Sequence, residues 1–187
     1  MNKRVLLAGV LGAVAMFLWS FVAHTFLPLG EAGLQRIDKE QALLTSMQST
    51  LSSPGMYMFP NMDPKDQAAN EKKIASGPSG MLVYFPTRDF SFPKSLAIEF
   101  SAELLQSLIA AYLLSLTVAS TFGARWGVFA LMGLMAVCAT NISYWNWYGF
   151  SGTYTAAYMF TGWMGYVCAG LVAAAMKVGG RGAPALR

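Results

Sequence analysis

Residues 95–119 read SLAIEFSAELLQSLIAAYLLSLTVA. The run is long enough to cross a bilayer, because about 20 helical residues at 1.5 Å rise span the hydrocarbon core. Its first half nevertheless carries Glu99, Glu103 and Gln106. A carboxylate facing lipid is costly, so these side chains must face protein or water. Their spacing agrees with that demand. At 100° per residue, Ser95, Glu99, Glu103, Gln106, Ala110 and Thr117 fall within about 80° of one another. The helix therefore has one polar stripe on an otherwise apolar cylinder, and sister helices must cover it.

The rest of the chain supplies them. Only 12% of its 187 residues are charged and 55% are hydrophobic, against about 25% charged in soluble domains. The apolar residues gather in four runs, the pattern of a polytopic helical membrane protein. Residues 1–28 are a basic leader and the first span, whose apolar run exceeds the 7–15 residues usual in a signal peptide and is read as retained. Residues 95–119 are the second span, 128–150 the third and 154–176 the fourth, with a tail at 177–187. Gly9, Gly12, Ala13, Met16, Ser20 and His24 share one face of the first span. Gly165, Ala169 and Ala173 do the same on the fourth. Small residues so placed let helix backbones approach closely. Cys138 and Cys168 both fall inside predicted spans, with no CxxC, and read as packing residues.

Residues 29–94 form an insert with seven basic and seven acidic side chains. An amphipathic helix is expected over 31–52, its apolar face made by Leu34, Ile37, Leu44, Met47 and Leu51. Two aromatic-rich pieces near 56–60 and 81–86 read as short strands. The polar segment between them reads as a loop with at most one helical turn. STFGARWG at 120–127 reads as a tight turn joining the second and third spans. The clustered Trp and Tyr of 144–148 mark a membrane–water interface.

Orientation follows from the short flanks. Lys3, Arg4, Arg125, Lys177, Arg181 and Arg187 lie on one side with no acid among them. The excess of Lys and Arg in cytoplasmic flanks then places both termini in the cytoplasm, N-in/C-in. The fold expected is an all-α membrane protein of four transmembrane helices in an up-down bundle. A small α+β extracytoplasmic cap lies between helices 1 and 2, and the expected location is a bacterial inner (plasma) membrane. Four spans with a large first outer loop resemble claudin-like proteins in architecture. The Cys pair those proteins carry in that loop is absent here.

Chemistry is sparse. There is no P-loop, no GxGxxG before a helix, no GxSxG and no zinc-type Cys/His spacing. The net charge of +4 is spread along the flanks of the spans rather than gathered in a patch, which argues against nucleic acid. What converges, in depth at least, is His24, Glu99, Glu103, Gln106, Asn141 and Tyr144. Such a buried polar cluster can fix helix rotation, carry protons or ions, receive a lipid or quinone headgroup, or hold a transition metal. The metal set would be His24, Glu99 and Glu103. Met56, Met58 and Met62 offer thioethers that suit Cu(I), although methionine also serves as plain packing. The leading expectation is a non-enzymatic accessory or scaffold subunit, surrounded by membrane lipids and built into a homo-oligomer or a larger membrane complex. The alternative is a transport or copper-handling protein using the His/Glu cluster.

Overall fold

The computed structural model describes residues 2–180. Within them four helices are long and apolar enough to cross a membrane. The first, α1 (Lys3–Thr25), begins where the side chain of Asn2 accepts a hydrogen bond from the Val5 N–H at 2.9 Å. Its 23 residues extend about 35 Å at 1.5 Å each, more than the hydrocarbon thickness. The other three are α4 (Phe92–Ser115), α5 (Phe122–Tyr148) and α6 (Gly152–Ala175). Arg181 and Arg187, counted in the basic flank and tail, lie outside the described residues.

These helices are inverted relative to those of a water-soluble bundle. Large apolar side chains point outward: Leu6, Leu7, Leu11 and Leu18 on α1, Leu105 and Ile109 on α4, and Leu131 and Met135 on α5 are all exposed. Small ones point inward. Ala8, Gly9, Gly12 and Ala13 of α1 and Gly165, Ala169, Gly170 and Ala173 of α6 are buried. That is the arrangement expected where the surrounding solvent is itself apolar, and helix association depends on close packing.

Helix α1 is the central element, packed on one side by α4 and on the other by α6. Gly9 lies against Leu108, Gly12 against Ser107 and Phe17 against Phe100, so α1 and α4 run antiparallel. Gly12 also faces Ala169, Met16 meets Gly165, and the Trp19 indole N–H donates to the Thr161 carbonyl at 2.8 Å, so α1 and α6 are antiparallel too. Helix α5 packs on α6 through Phe129 with Gly170, Tyr166 with Gly133, and a 3.0 Å bond from the Trp163 indole N–H to the Ala130 carbonyl. Near the chain-terminal end the bundle is filled by Leu114, Phe129, Ala173 and Val178.

Two junctions differ from expectation. The turn expected at 120–127 is shorter, because Thr121 caps α5: its Oγ1 accepts from the Ala124 N–H at 3.1 Å. Helix α5 therefore starts at Phe122, and Gly123 and Gly127 are helical rather than turn residues. Arg125 consequently sits in the first turn, where its Nε donates to the Val178 carbonyl at 2.8 Å. The second junction is the helix expected over 31–52. A 3-10 turn at Leu29–Glu31 is followed by Gly33 with φ +78, the left-handed region that glycine tolerates, and α2 is only Glu40–Thr50. A Cβ on Gly33 would lie 2.5 Å from Ser151 Oγ and 2.6 Å from the Tyr154 nitrogen, so the chain approaches the start of α6 as only glycine can.

Gln35–Phe90, with Trp147–Gly149, forms a second compact unit. It holds α2, strand β1 (Gly55–Phe59), α3 (Gln67–Ser76) and strand β2 (Gly80–Tyr84). The strands pair antiparallel, with Gly55 opposite Tyr84 and Phe59 opposite Gly80. Where a loop was expected, α3 has formed. Asp66 caps it, accepting from the Ala69 N–H at 2.9 Å. Just upstream, the Asn70 side chain accepts from the Asp63 N–H at 2.9 Å and donates to the Asp63 carbonyl at 2.6 Å. Within Gln35–Phe90 only Tyr84 is buried, so local polar bonds rather than a core hold this unit's shape.

Candidate functional site: a polar cavity in the bundle

Of the polar stripe of α4 only Glu103 is buried, while Glu99 and Gln106 are exposed on the wall of a cavity. Glu103 is only 5% exposed. It faces Ser20, one helical turn before His24 on α1, and the Ser20 hydroxyl donates to Glu103 Oε1 at 2.7 Å. Glu103 Oε2 is also buried and has no hydrogen-bond partner among the described residues. Leaving a buried acceptor unsatisfied costs about 1–3 kcal/mol, more if it is charged. Ser107, one turn further along α4, is likewise buried with an unpartnered Oγ, but it is wedged between helices beside Gly12.

Glu103 borders a cavity of about 730 Å³ lined by α1, α4, α5 and α6. His24, Glu99, Glu103, Gln106, Asn141 and Tyr144 all line it. The six residues that agree in depth along the sequence thus face one space. Binding sites for small molecules commonly measure about 300–1,000 Å³. The cavity lies toward the end of α1 and the start of α4, the half of the bundle away from the Leu114–Phe129 core.

Several of these groups are oriented by their own helices. His24 Nδ1 donates to the Ser20 carbonyl at 2.8 Å. A carbonyl can only accept, so this bond places a proton on Nδ1. The Asn141 amide donates back to the Val137 carbonyl at 2.9 Å, leaving its side-chain oxygen for the cavity. His24 and Glu99 both lie within electrostatic reach of Glu103.

Part of the cavity wall is aromatic. Tyr144 and Phe150 have ring centroids 5.5 Å apart, Phe150 and Tyr154 5.6 Å, and Tyr154 and Tyr158 stack at 4.5 Å. All four line the cavity, as does Tyr166 deeper in α6. The tyrosines of α6 were not picked out as site residues from the sequence, nor was Ser20. The signal for both was present: Tyr154, Tyr158, Thr161, Gly165 and Tyr166 repeat at helical spacing, and Ser20 shares the α1 face of Met16 and His24.

Among the described residues no group of three or more His, Cys, Asp and Glu side chains is placed to hold a metal ion. The thioether set lies elsewhere: Met56 and Met58 are on β1, Met62 follows it, and all three side chains are exposed. Cys138 and Cys168 are free thiols on α5 and α6. Comparison with protein-family models, with curated proteins and with solved structures finds no match. Fold and site together define a helical membrane protein with a polar cavity in its bundle.

Proposed function

We propose that the protein is a non-enzymatic integral membrane protein that holds a small ligand in this cavity, as a binding or transport component. The observation that carries the reading is Glu103. Its carboxyl group is buried, accepts from Ser20 on one oxygen and from none of the described residues on the other, and the residue lines a 730 Å³ space. Had the cluster served only to fix helix rotation, little room would be expected between its members.

The orientation proposed puts the termini in the cytoplasm and residues 29–94 outside. Support comes from Lys3, Arg4, Arg125 and Lys177, which sit at the start of α1, the start of α5 and the end of α6, all at one end of the antiparallel bundle. The cavity then belongs to the outer half of the membrane. An accessory-subunit role draws less support from helix packing. The small-residue faces that would suit partner helices are occupied within the chain, by Leu108, Ser107, Met16 and Phe129.

The test is native mass spectrometry of protein extracted from its own membrane. The wild type is expected to carry a bound small molecule or lipid at one copy per chain. Thr140→Trp, which fills the cavity from an exposed position on its α5 wall, is expected to lose it. Identical spectra for the two proteins would end this reading.

A further inference from the structure

Another pocket, of about 300 Å³, lies where the start of α1 meets the ends of α4 and α6. Arg4 lines it from α1, Ser115 and Leu116 from the end of α4, and Lys177 and Val178 from just past α6. We propose that this pocket binds the headgroup of an anionic phospholipid, its phosphate held between Arg4 and Lys177. The site stands apart from the polar cavity and from the function proposed for it.

Charge selects the anion. Arg4 and Lys177 are both exposed, and no Asp or Glu among the described residues lines the pocket with them. The acids of the chain all fall between Glu31 and Glu103. On the three helices that meet here the nearest is Glu103, about 18 Å before Ser115 along α4 at 1.5 Å per residue. The carbonyl ends of α4 and α6 contribute about half a negative charge each. Arg4 and Lys177 outweigh them. Arg125 adds a third cation, its Nε donating to the Val178 carbonyl at 2.8 Å. A zwitterionic headgroup would bring its own ammonium to these cations, with no acid there to receive it.

The backbone at Lys177 points the same way. Its φ of +54 is left-handed, the conformation that glycine usually supplies just past a helix. The turn is closed by backbone bonds alone, from the Lys177 N–H to the Ala174 carbonyl at 3.0 Å and from the Val178 N–H to the Ala173 carbonyl at 3.1 Å. Glycine would adopt this φ without strain. What lysine adds over glycine is a cation on the pocket.

Depth and size select a lipid. The pocket lies at the ends of three helices long and apolar enough to cross a membrane, the level at which headgroups begin. Leu116 lines it and is 65% exposed, and Leu6 and Leu7, in the same turn of α1 as Arg4, are exposed as well. Acyl chains therefore have apolar surface beside the headgroup. A space of 300 Å³ is at the small end of ligand sites, enough for a headgroup and not for a whole lipid.

The full chain in non-ionic detergent micelles is titrated with phosphatidylglycerol and with phosphatidylcholine of the same acyl chains, and native mass spectrometry reads the bound lipid. One phosphatidylglycerol is expected to bind saturably, and phosphatidylcholine about tenfold more weakly. Arg4→Gln and Lys177→Gly are each expected to weaken phosphatidylglycerol about fivefold. Lys177→Gly should fold at least as well as the wild type, because glycine suits its φ. Lys3→Gln removes an equal charge from the same end without lining the pocket, and is expected to change binding by less than about twofold. Glycerophosphoglycerol, the same phosphodiester without acyl chains, is expected to compete only at about a hundredfold higher concentration or more. Equal losses in Lys3→Gln and the two pocket variants would reduce the effect to diffuse surface attraction and overturn the site. Equal binding of the two lipids would overturn the anion assignment. Competition by glycerophosphoglycerol at equal concentration would overturn the lipid assignment in favour of a soluble phosphodiester.

Discussion

Replacing Gly12 by alanine should weaken the bundle, although alanine is the better helix former. On an isolated helix the change gains about 1 kcal/mol. Here α1 is held between α4 and α6, and the new Cβ would land on Ser107 Oγ with Ala169 Cβ at 3.3 Å on the other side. Neither neighbour can swing away, since Ser107 and Ala169 are fully buried. Overpacking of this kind costs about 1–3 kcal/mol, so a net loss of up to about 2 kcal/mol, centred near 1, is expected. Gly165→Ala is the control. Its Cβ would first meet the flexible end of Met16 at 3.6 Å, an ordinary contact, so the propensity gain of up to about 1 kcal/mol should survive. The two variants should therefore differ by about 2 kcal/mol in opposite senses. Adding Ser107→Ala to Gly12→Ala removes the obstructing oxygen, and a coupling of about 1 kcal/mol is expected between the pair. Reversible unfolding in mixed detergent micelles, followed by tryptophan fluorescence, reads the wild type, the three single variants and the double one. Equal stability of Gly12→Ala and Gly165→Ala, or no coupling to Ser107, would refute the packing of α1 against α4 and α6.

Other expectations are simpler. Ser20→Ala removes the one bond to Glu103 Oε1 and should cost about 0.6–2 kcal/mol in the same unfolding assay, the range for hydrogen bonds inside membrane proteins. Gly33→Ala must adopt a φ of +78 and press on Ser151 and Tyr154. A loss of about 1–3 kcal/mol is expected, visible as faster hydrogen exchange at the start of α6. Asn70→Ala removes both bonds to the Asp63 backbone. It should raise exchange across α3 by about tenfold or more while leaving the four long helices unchanged.

The sequence was most legible where a single period decided the matter. The four apolar runs mark α1, α4, α5 and α6, because a membrane-spanning helix needs nothing but length and hydropathy to be seen. The stripe on α4 was legible for the converse reason: acids at i and i+4 cannot both avoid hydrocarbon unless they share a protected face. Partners across helices were not legible. Depth along a helix can be counted, but rotation about its axis depends on which neighbours pack where, so Ser20 as the donor to Glu103 went unseen. The tyrosines of α6 were obscured by the small residues interleaved with them. Helix α3 has almost no apolar face and rests on the Asp66 cap and the Asn70–Asp63 bonds, which hydrophobic periodicity does not register. The early start of α5 was missed because Gly123 and Gly127 look like breakers, whereas Thr121 upstream is a good cap.

The acid-bearing face of α4 is expected to border a water-accessible cavity and not the acyl chains. Single cysteines in a Cys138→Ala, Cys168→Ala background test it in intact cells with a membrane-impermeant maleimide. Gln106→Cys and Thr140→Cys, on the cavity wall, are expected to react from outside. Leu105→Cys and Leu131→Cys, on the exposed apolar surface, are expected to face lipid and stay unlabelled. Labelling of the leucine positions with protection of the cavity positions would contradict the account.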